Sequence, residues 1–135
     1  MIIHEQLILE TNEKIELINI TKTVQEIISK NNITNGCVII HTKHTTSGVI
    51  INEDEDGLKK DYINFLKQAV PIANYYHDKI DNNARSHIQA LLTHPNQNIP
   101  IMDGRISLGI WQSIFFIELD GPRSNRNINI TIIGE

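Results

Sequence analysis

Length, composition and charge exclude several kinds of protein. The chain has 135 residues, the size of one domain, so we expect residues 1–135 to fold around one hydrophobic core. Its 16 acidic residues outnumber its 12 basic residues and give a formal net charge of −4. A protein that tracks nucleic-acid phosphates is normally basic along one face, so this composition argues against a nucleic-acid partner.

The start of the chain and its one cysteine bear on the cellular compartment. Residues 1–5 lack a basic segment followed by a long apolar one, and no stretch of the sequence approaches the length needed to cross a bilayer. Cys37 cannot form an internal disulfide, and its apolar neighbours predict a buried, unreactive thiol. We therefore expect a soluble, cytoplasmic protein with no membrane partner.

The first part of the chain predicts a hairpin, a helix and a strand. Two β-prone segments, residues 2–10 and 15–20, flank a turn-rich segment. Thr21 is the expected N-cap of a helix that ends at Asn31-Asn32. Residues 36–43 form the next predicted strand, and its four consecutive apolar residues predict cover on both faces. Helices on one side and a neighbouring subunit on the other would supply that cover, which predicts an oligomer.

The rest of the chain predicts two helices and several more strands. After a strand at residues 48–51, apolar residues recur at helical spacing from Leu58 to Ala69. A shorter helix starts near Asn83, and further strands follow, the strongest at residues 111–119 and 127–133. The predicted fold class is α+β, with a mainly antiparallel, mixed β-sheet of about six or seven strands and about three helices on one face.

Three of the six histidines are candidates for a shared site. His44 ends a predicted strand at a polar turn, His87 faces inward from the third helix, and His77 lies in the irregular segment before it. If they converge, three imidazoles with an open fourth position suit zinc or another divalent metal, or they line a functional cleft without a metal. The alternative is that His87 is a core histidine bonded to a neighbour. The remaining three are expected to be two surface residues and one half-buried strand residue: His4, His94 and His41.

The acidic segment 52–57 imitates the start of a calcium loop. Oxygen-bearing residues occupy its first, third and fifth positions, but Ile63 at the twelfth cannot supply the bidentate carboxylate that closes such a loop. The segment is instead expected to begin a helix, because carboxylates are stabilised at the positive end of the helix dipole.

Arginines beside glycines are candidates for anion binding. The guanidinium groups of Arg105 and Arg123 can hold a phosphate through two parallel hydrogen bonds, and nearby glycines permit close backbone approach. For Arg126 a surface ion pair is an equal alternative. The turn that contains Arg123 also has the simpler interpretation of a connection between two strands.

Residues 111–119 add polar groups around an apolar strand. By strand alternation Gln112 and Glu118 share one face and bracket an apolar patch that could receive a ring. Trp111 is expected to have a structural role.

Several separated motifs occur in the order seen in one known family. The most informative block is residues 104–112, followed by residues 118–123. The other matching segments are His44-Thr45-Thr46-Ser47, Asn52-Glu53, His87-Ile88, Pro100-Ile101 and Gly134-Glu135. The whole chain resembles the YjbQ family, also called the secondary thiamine-phosphate synthase family. Where that family usually has Thr, Lys and Gly, this chain has Ile110, Gln89 and His94.

The resemblance and the residue patterns above together assign roles to the candidate residues. His44, Glu53 and His87 are the expected catalytic residues, with Glu53 closing the histidine site. Four residues are expected to bind substrate: Arg105, Gln112, Glu118 and Arg123. His44, His77 and His87 are the expected ligands of a divalent metal, zinc or magnesium.

Two functions compete, and the resemblance implies the first of them. The first is an enzyme acting on a small phosphorylated molecule, either a weak or secondary thiamine-phosphate synthase or another phosphate-directed, metal-assisted enzyme. The second is a non-catalytic homotrimer that binds a small anion or a divalent metal. A homotrimer is expected in both cases.

Overall fold

The computed structural model describes residues 1–135, with eight strands, three α-helices and one short 3-10 helix. The strands are β1 (Ile2–Thr11), β2 (Glu16–Asn19), β3 (Gly36–Thr42), β4 (Ser47–Asn52), β5 (Asn96–Met102), β6 (Arg105–Ile106), β7 (Ser113–Glu118) and β8 (Arg123–Gly134). The helices are α1 (Thr21–Lys30), α2 (Asp56–Ala69) and α3 (Ala84–Ala90), and the 3-10 helix spans Tyr76–Lys79. None of the helices combines the length and the apolar character that a membrane span requires.

The strands form two antiparallel sheets. One has five strands in the order β1-β8-β3-β5-β6, and the other has three in the order β2-β7-β4. The predicted α+β class, the antiparallel pairing and the three helices are confirmed, while the strands are divided between two sheets. Strand β8 lies between β1 and β3 and is the longest strand in the chain.

The main core lies between the two sheets and is closed by α1. Strands β3 and β8 contribute alternate β-branched residues to it, because side chains two residues apart share one face of a strand. Its buried members include Val38, Ile40, Val49, Ile114, Phe116, Ile128, Ile130 and Ile132, together with Val24 and Ile28 of α1. A smaller cluster joins Leu66 of α2 to Ile117 and Leu119.

Strand β7, at the centre of the smaller sheet, is the strand with two buried faces. Ile114 and Phe116 belong to the main core, whereas Ile117 belongs to the smaller cluster. For β3 we expected both faces to be covered, but one chain covers only the face that carries Val38 and Ile40. Cys37 is on the opposite face and is half-buried, so the prediction of a buried thiol was wrong for the single chain.

The outer face of the five-stranded sheet carries a row of apolar side chains. Ile2, Ile133 and Cys37 are paired across β1, β8 and β3, and Ile2 and Ile133 are 64% and 44% exposed. Ile8 is exposed further along β1. Exposed apolar side chains grouped on a sheet face in this way are typical of protein–protein interfaces.

We propose that the chain forms a homotrimer and that this row lies at its interface. Ile133→Lys should place a charge in that interface and shift light scattering at micromolar concentration from trimer toward monomer. Lys22, on the exposed face of α1, offers a control position, and Lys22→Glu should leave the molar mass unchanged. A monomer for the unmodified chain across that concentration range would contradict the prediction.

Candidate functional site

A cavity of about 680 Å³ lies where β3 ends, β4 begins and α3 packs beside them. His44 and His87 both line it, as the sequence predicted, and His41 and Lys43 line it as well. The other lining residues are Thr42, Thr45, Ser47, Ile88, Ala90, Leu91 and Pro95. No aspartate or glutamate is among them, although the chain contains 16 acidic residues.

The turn that presents His44 is held by hydroxyl groups. The hydroxyls of Thr42 and Ser47, the last residue of β3 and the first of β4, are 2.9 Å apart. The backbone N–H of His44 also donates to the Thr42 hydroxyl, at 3.2 Å. Because Thr42 and Ser47 are both buried, this bonding fixes the path of the turn and directs His44 toward the cavity.

His44 is held as a neutral imidazole. The backbone N–H of Asn127 donates to its Nε2 atom at 3.0 Å, so that nitrogen carries no proton and the neutral ring has its proton on Nδ1. Burial lowers the pKa of His44, and the positive charge of Arg126 lowers it further. In this arrangement Nδ1–H is a hydrogen-bond donor, while the lone pair of Nε2 is already in use.

His77 and His87 contact each other directly. Their ring centroids are 4.7 Å apart at an interplanar angle of 83°, an edge-to-face arrangement. His77 Nε2 is 3.1 Å from Oδ1 of Asn83, and Nδ2 of Asn83 donates to Oδ2 of Asp120 at 2.9 Å. The structure thus joins His77 to His87 and places His44 and His87 on one cavity.

Glu118 is a buried structural carboxylate, contrary to its predicted role in substrate binding. It is fully buried and forms an ion pair with Arg126, which is also buried. Its Oε1 atom accepts from the Thr11 hydroxyl and from Arg126 Nε, both at 2.8 Å. Its Oε2 atom accepts from the backbone N–H groups of Leu119 and Asp120 and from Arg126. Both oxygens are fully used, so neither is available to a ligand.

Arg126 is also buried inside the fold. Its guanidinium also donates to the Thr46 hydroxyl at 2.9 Å, next to the turn that carries His44. Of the two alternatives for Arg126, the surface ion pair was therefore wrong, because both Arg126 and its partner, Glu118, are buried inside the fold. The pair joins β7 and β8 directly beneath the histidine turn.

Arg105 and Arg123 lie at opposite ends of the five-stranded sheet. Arg123 is the first residue of β8. Arg105 pairs with Met102, which lies next to the position where Gly36 of β3 pairs with Gly134 at the other end of β8. Twelve residues of strand separate the two ends by about 35 Å. The two arginines of one chain therefore cannot hold one small anion together.

The guanidinium of Arg123 is already paired. It donates to Oδ2 of Asp120 at 2.8 Å and to the Asp120 carbonyl oxygen at 2.9 Å. The same turn packs tightly against the hairpin, since a Cβ atom at Gly121 would lie 2.0 Å from the carbonyl oxygen of Glu13. The glycine is required there for close backbone approach, and the turn serves as a structural connection.

Glu53 and Gln112 lie away from the histidine cavity within one chain. Glu53 follows the last residue of β4, whereas Ser47, beside the histidine turn, is the first. The length of the strand separates these two ends by about 17 Å. Gln112 precedes β7, and its Oε1 atom accepts from the N–H of Gly109 at 2.7 Å, which closes an exposed loop. Because Glu118 is buried and Gln112 is exposed, the two do not bracket a common patch, and that prediction was wrong.

The residues of one chain do not assemble a set of metal ligands. No group of three histidine, cysteine, aspartate or glutamate side chains lies close enough to hold an ion. His44 Nε2 is engaged by Asn127, and no carboxylate that magnesium would prefer lines the cavity. His77 and His87 are two potential nitrogen ligands, which is fewer than zinc needs from a protein.

Several residues of the site were missed by the sequence reasoning. Lys43 and the hydroxyl groups of Thr42 and Ser47 flank His44 directly, so the polar turn was a signal that could have included them. For Asn83 the sequence predicts only the start of a helix. Its contact with Asp120 spans 37 residues and has no local sequence signature.

Comparison with known proteins agrees with the resemblance seen in the sequence. A sequence model of the UPF0047 protein YjbQ-like family matches residues 5–135. A UPF0047 protein from Methanothermobacter thermautotrophicus is 43% identical over 132 residues, which cover 97% of this chain and 92% of that protein. The Bacillus subtilis UPF0047 protein YugU is 33% identical over 127 residues, covering 93% of this chain and 96% of YugU.

Solved structures share the fold over nearly the full chain. A crystal structure of a Sulfolobus solfataricus protein of unknown function has a TM-score of 0.97 and 35% identity, covering 100% of this chain and 99% of that one. A Clostridium acetobutylicum protein of the YjbQ/UPF0047 family has a TM-score of 0.90 and 33% identity, covering 96% of this chain and 99% of that one. With the family model matched along almost its entire length, the chain belongs to the YjbQ-like UPF0047 family.

Proposed function

We propose that the chain is an enzyme that acts on a small phosphorylated molecule in the cavity lined by His44 and His87. The observation that carries this proposal is the composition of the cavity wall. One lysine, three histidines and three hydroxyl-bearing residues line it, and no carboxylate does, in a chain with net charge −4. A wall that carries a lysine and histidines but no carboxylate favours an anionic ligand.

The cavity size fits the same ligand class. A volume of about 680 Å³ lies within the range of sites for small organic ligands, which is about 300–1,000 Å³. Ile88, Ala90, Leu91 and Pro95 supply an apolar wall opposite the polar turn. A phosphorylated molecule with a ring would meet donors at one end and apolar carbon at the other.

The candidate reaction is transfer of the thiamine-phosphate synthase type. A thiazole-phosphate nitrogen forms a bond to the methylene carbon of a pyrimidine diphosphate, and the carbon–oxygen bond breaks so that diphosphate leaves with the electron pair. Such a reaction needs positive charge and donors at the departing oxygens. Lys43 supplies charge, and His44 supplies an Nδ1–H donor, because its Nε2 atom is held by Asn127.

Lys43 is expected to be the principal anion-binding cation of the cavity. Lys43→Gln should weaken diphosphate binding by about 1 kcal/mol in calorimetric titration, a modest loss because the side chain is exposed and water screens its charge. Lys60→Gln is the matched control, since it removes the charge of another exposed lysine that does not line this cavity. Equal losses in both variants would show that the anion does not bind in this cavity.

The alternative function is a trimeric module that binds an anion or a divalent metal without catalysis. The apolar row on the outer sheet face favours the assembly, and a subunit interface could add ligands that one chain lacks. Stoichiometric metal in the purified protein, with no turnover of phosphorylated substrates, would favour this alternative.

A further inference from the structure

A line of polar contacts leads from Asp120 to the wall of the histidine cavity. Asp120 is anchored by Lys14 at 2.6 Å and by Arg123 at 2.8 Å, and its side chain is only 10% exposed. Burial raises its pKa, but the hydrogen bonds from Lys14, Asn83 and Arg123 outweigh that effect and hold the pKa below its ordinary value. Asp120 is therefore an ionised, acceptor-only group at neutral pH.

An acceptor-only Asp120 determines how the Asn83 side chain is oriented. Only the NH₂ group of Asn83 can face a carboxylate, so its Oδ1 atom must face His77. Since Oδ1 can only accept, His77 Nε2 must carry the proton of that hydrogen bond. The neutral His77 ring then has an unprotonated Nδ1, and its orientation is fixed at one end.

His77 does not line the cavity, but it contacts His87, which does. The backbone carbonyl of Asn83 also accepts from the His87 N–H, at 3.3 Å. Asn83 therefore acts on His87 in two ways, through the first turn of α3 and through the His77 ring.

We propose that Asn83 and His77 are positioning residues. Asp120 orients the Asn83 amide, and Asn83 fixes the His77 ring in the tautomer that carries its proton on Nε2. The His77 ring in turn holds His87 at the cavity wall. The catalytic consequence rests on the proposed function, whereas the tautomer and the ring contact do not. A polar partner behind a functional histidine is a common way to set its orientation.

Long-range nitrogen–proton NMR of the ¹⁵N-labelled full chain tests the positioning directly. At a pH where the ring is neutral, we expect His77 to show one tautomer, with Nε2 protonated and Nδ1 unprotonated. Asn83→Ala should replace it with an averaged pair of tautomers and shift the ring-proton signals of His87, because the neighbouring ring is no longer fixed. Asn83→Ser serves the same purpose if the alanine variant does not fold, and Asn82→Ala, at the adjacent exposed asparagine, should change neither signal.

Kinetics provide a second and separable readout. Under the proposed function, Asn83→Ala should lower kcat by about 10- to 100-fold, as loss of a supporting partner usually does, with little change in KM. His87 signals that do not move in Asn83→Ala, or an Nδ1–H or averaged tautomer of His77 in the unmodified chain, would overturn the inference. If the NMR changes appear as expected but the protein shows no turnover, the positioning role is supported and only the proposed function is contradicted.

Discussion

Replacing Glu118 by glutamine is expected to destabilise the fold by about 3–5 kcal/mol, because it leaves the buried guanidinium of Arg126 without its counter-charge. Urea unfolding followed by circular dichroism measures the loss. Glu10→Gln, at an exposed glutamate of β1, is the matched control and should change stability by less than about 0.5 kcal/mol. The double variant Glu118→Gln with Arg126→Met should recover much of the loss, since neither charge then remains buried. A loss below about 1 kcal/mol for the single variant would show that the pair is not buried in solution.

The same ion pair predicts how stability depends on pH. Burial raises the pKa of Glu118, but the hydrogen bonds from Arg126, from the Asp120 N–H and from Thr11 outweigh it, so the folded-state pKa lies below its ordinary value. A depressed carboxyl pKa contributes stability above the unfolded-state pKa, about 4.3, and this contribution is lost as the pH falls through the folded-state pKa. The stability difference between the unmodified chain and Glu118→Gln should therefore be largest near neutral pH and shrink in acid.

Under the proposed function, replacing His87 by alanine is expected to lower turnover by about 100-fold or more, because it removes an imidazole that lines the cavity together with His44. The assay is formation of thiamine phosphate from its two phosphorylated precursors, measured by chromatography. His94→Ala is the control, since His94 is exposed and does not line this cavity. Because His87 is only half-buried, the variant should unfold at nearly the same urea concentration as the unmodified chain.

Metal content measured on the same preparations tests the remaining prediction of a divalent metal. A metal present in the unmodified protein and lost in His87→Ala would place it at the histidines, with further ligands supplied from outside the single chain. Equal turnover in the unmodified chain and in His87→Ala would contradict the catalytic assignment. A metal that is retained in His87→Ala would contradict the ligand assignment instead.

The elements of the fold were predictable because they depend on local periodicity. The second helix was expected from Leu58 to Ala69 and is observed as Asp56–Ala69, with the Glu55 carboxylate accepting from the N–H of Leu58 at its start. The division into two sheets was not predictable in the same way, because it depends on which distant strands pair. Strand alternation fixes which residues share a face, but it does not reveal that both faces of β7 are buried.

The same limit explains which site predictions failed. The histidine cavity was predicted because His44 follows a strand and His87 lies on the apolar side of a helix, and both signals are local. Glu118 was misassigned since a carboxylate in a strand looks the same in sequence whether a ligand or a buried arginine neutralises it. Arg105 and Arg123 were grouped by residue type, although the pairing of β8 separates them. Their distance depends on tertiary structure alone.

The central position of β8 has a consequence for how the chain acquires its structure. Strands that are far apart in the sequence are neighbours in the sheet, with Ile2 opposite Ile133, and β3 also needs β8 as its partner. During synthesis β1 and β3 therefore emerge long before the strand that must lie between them, so each keeps an unpaired edge until β8 has been made. Folding that depends on pairing between such distant strands is slow, and strand edges that still lack a partner are prone to aggregation. Nascent chains arrested before β8 emerges should consequently depend on chaperones far more than the released protein does.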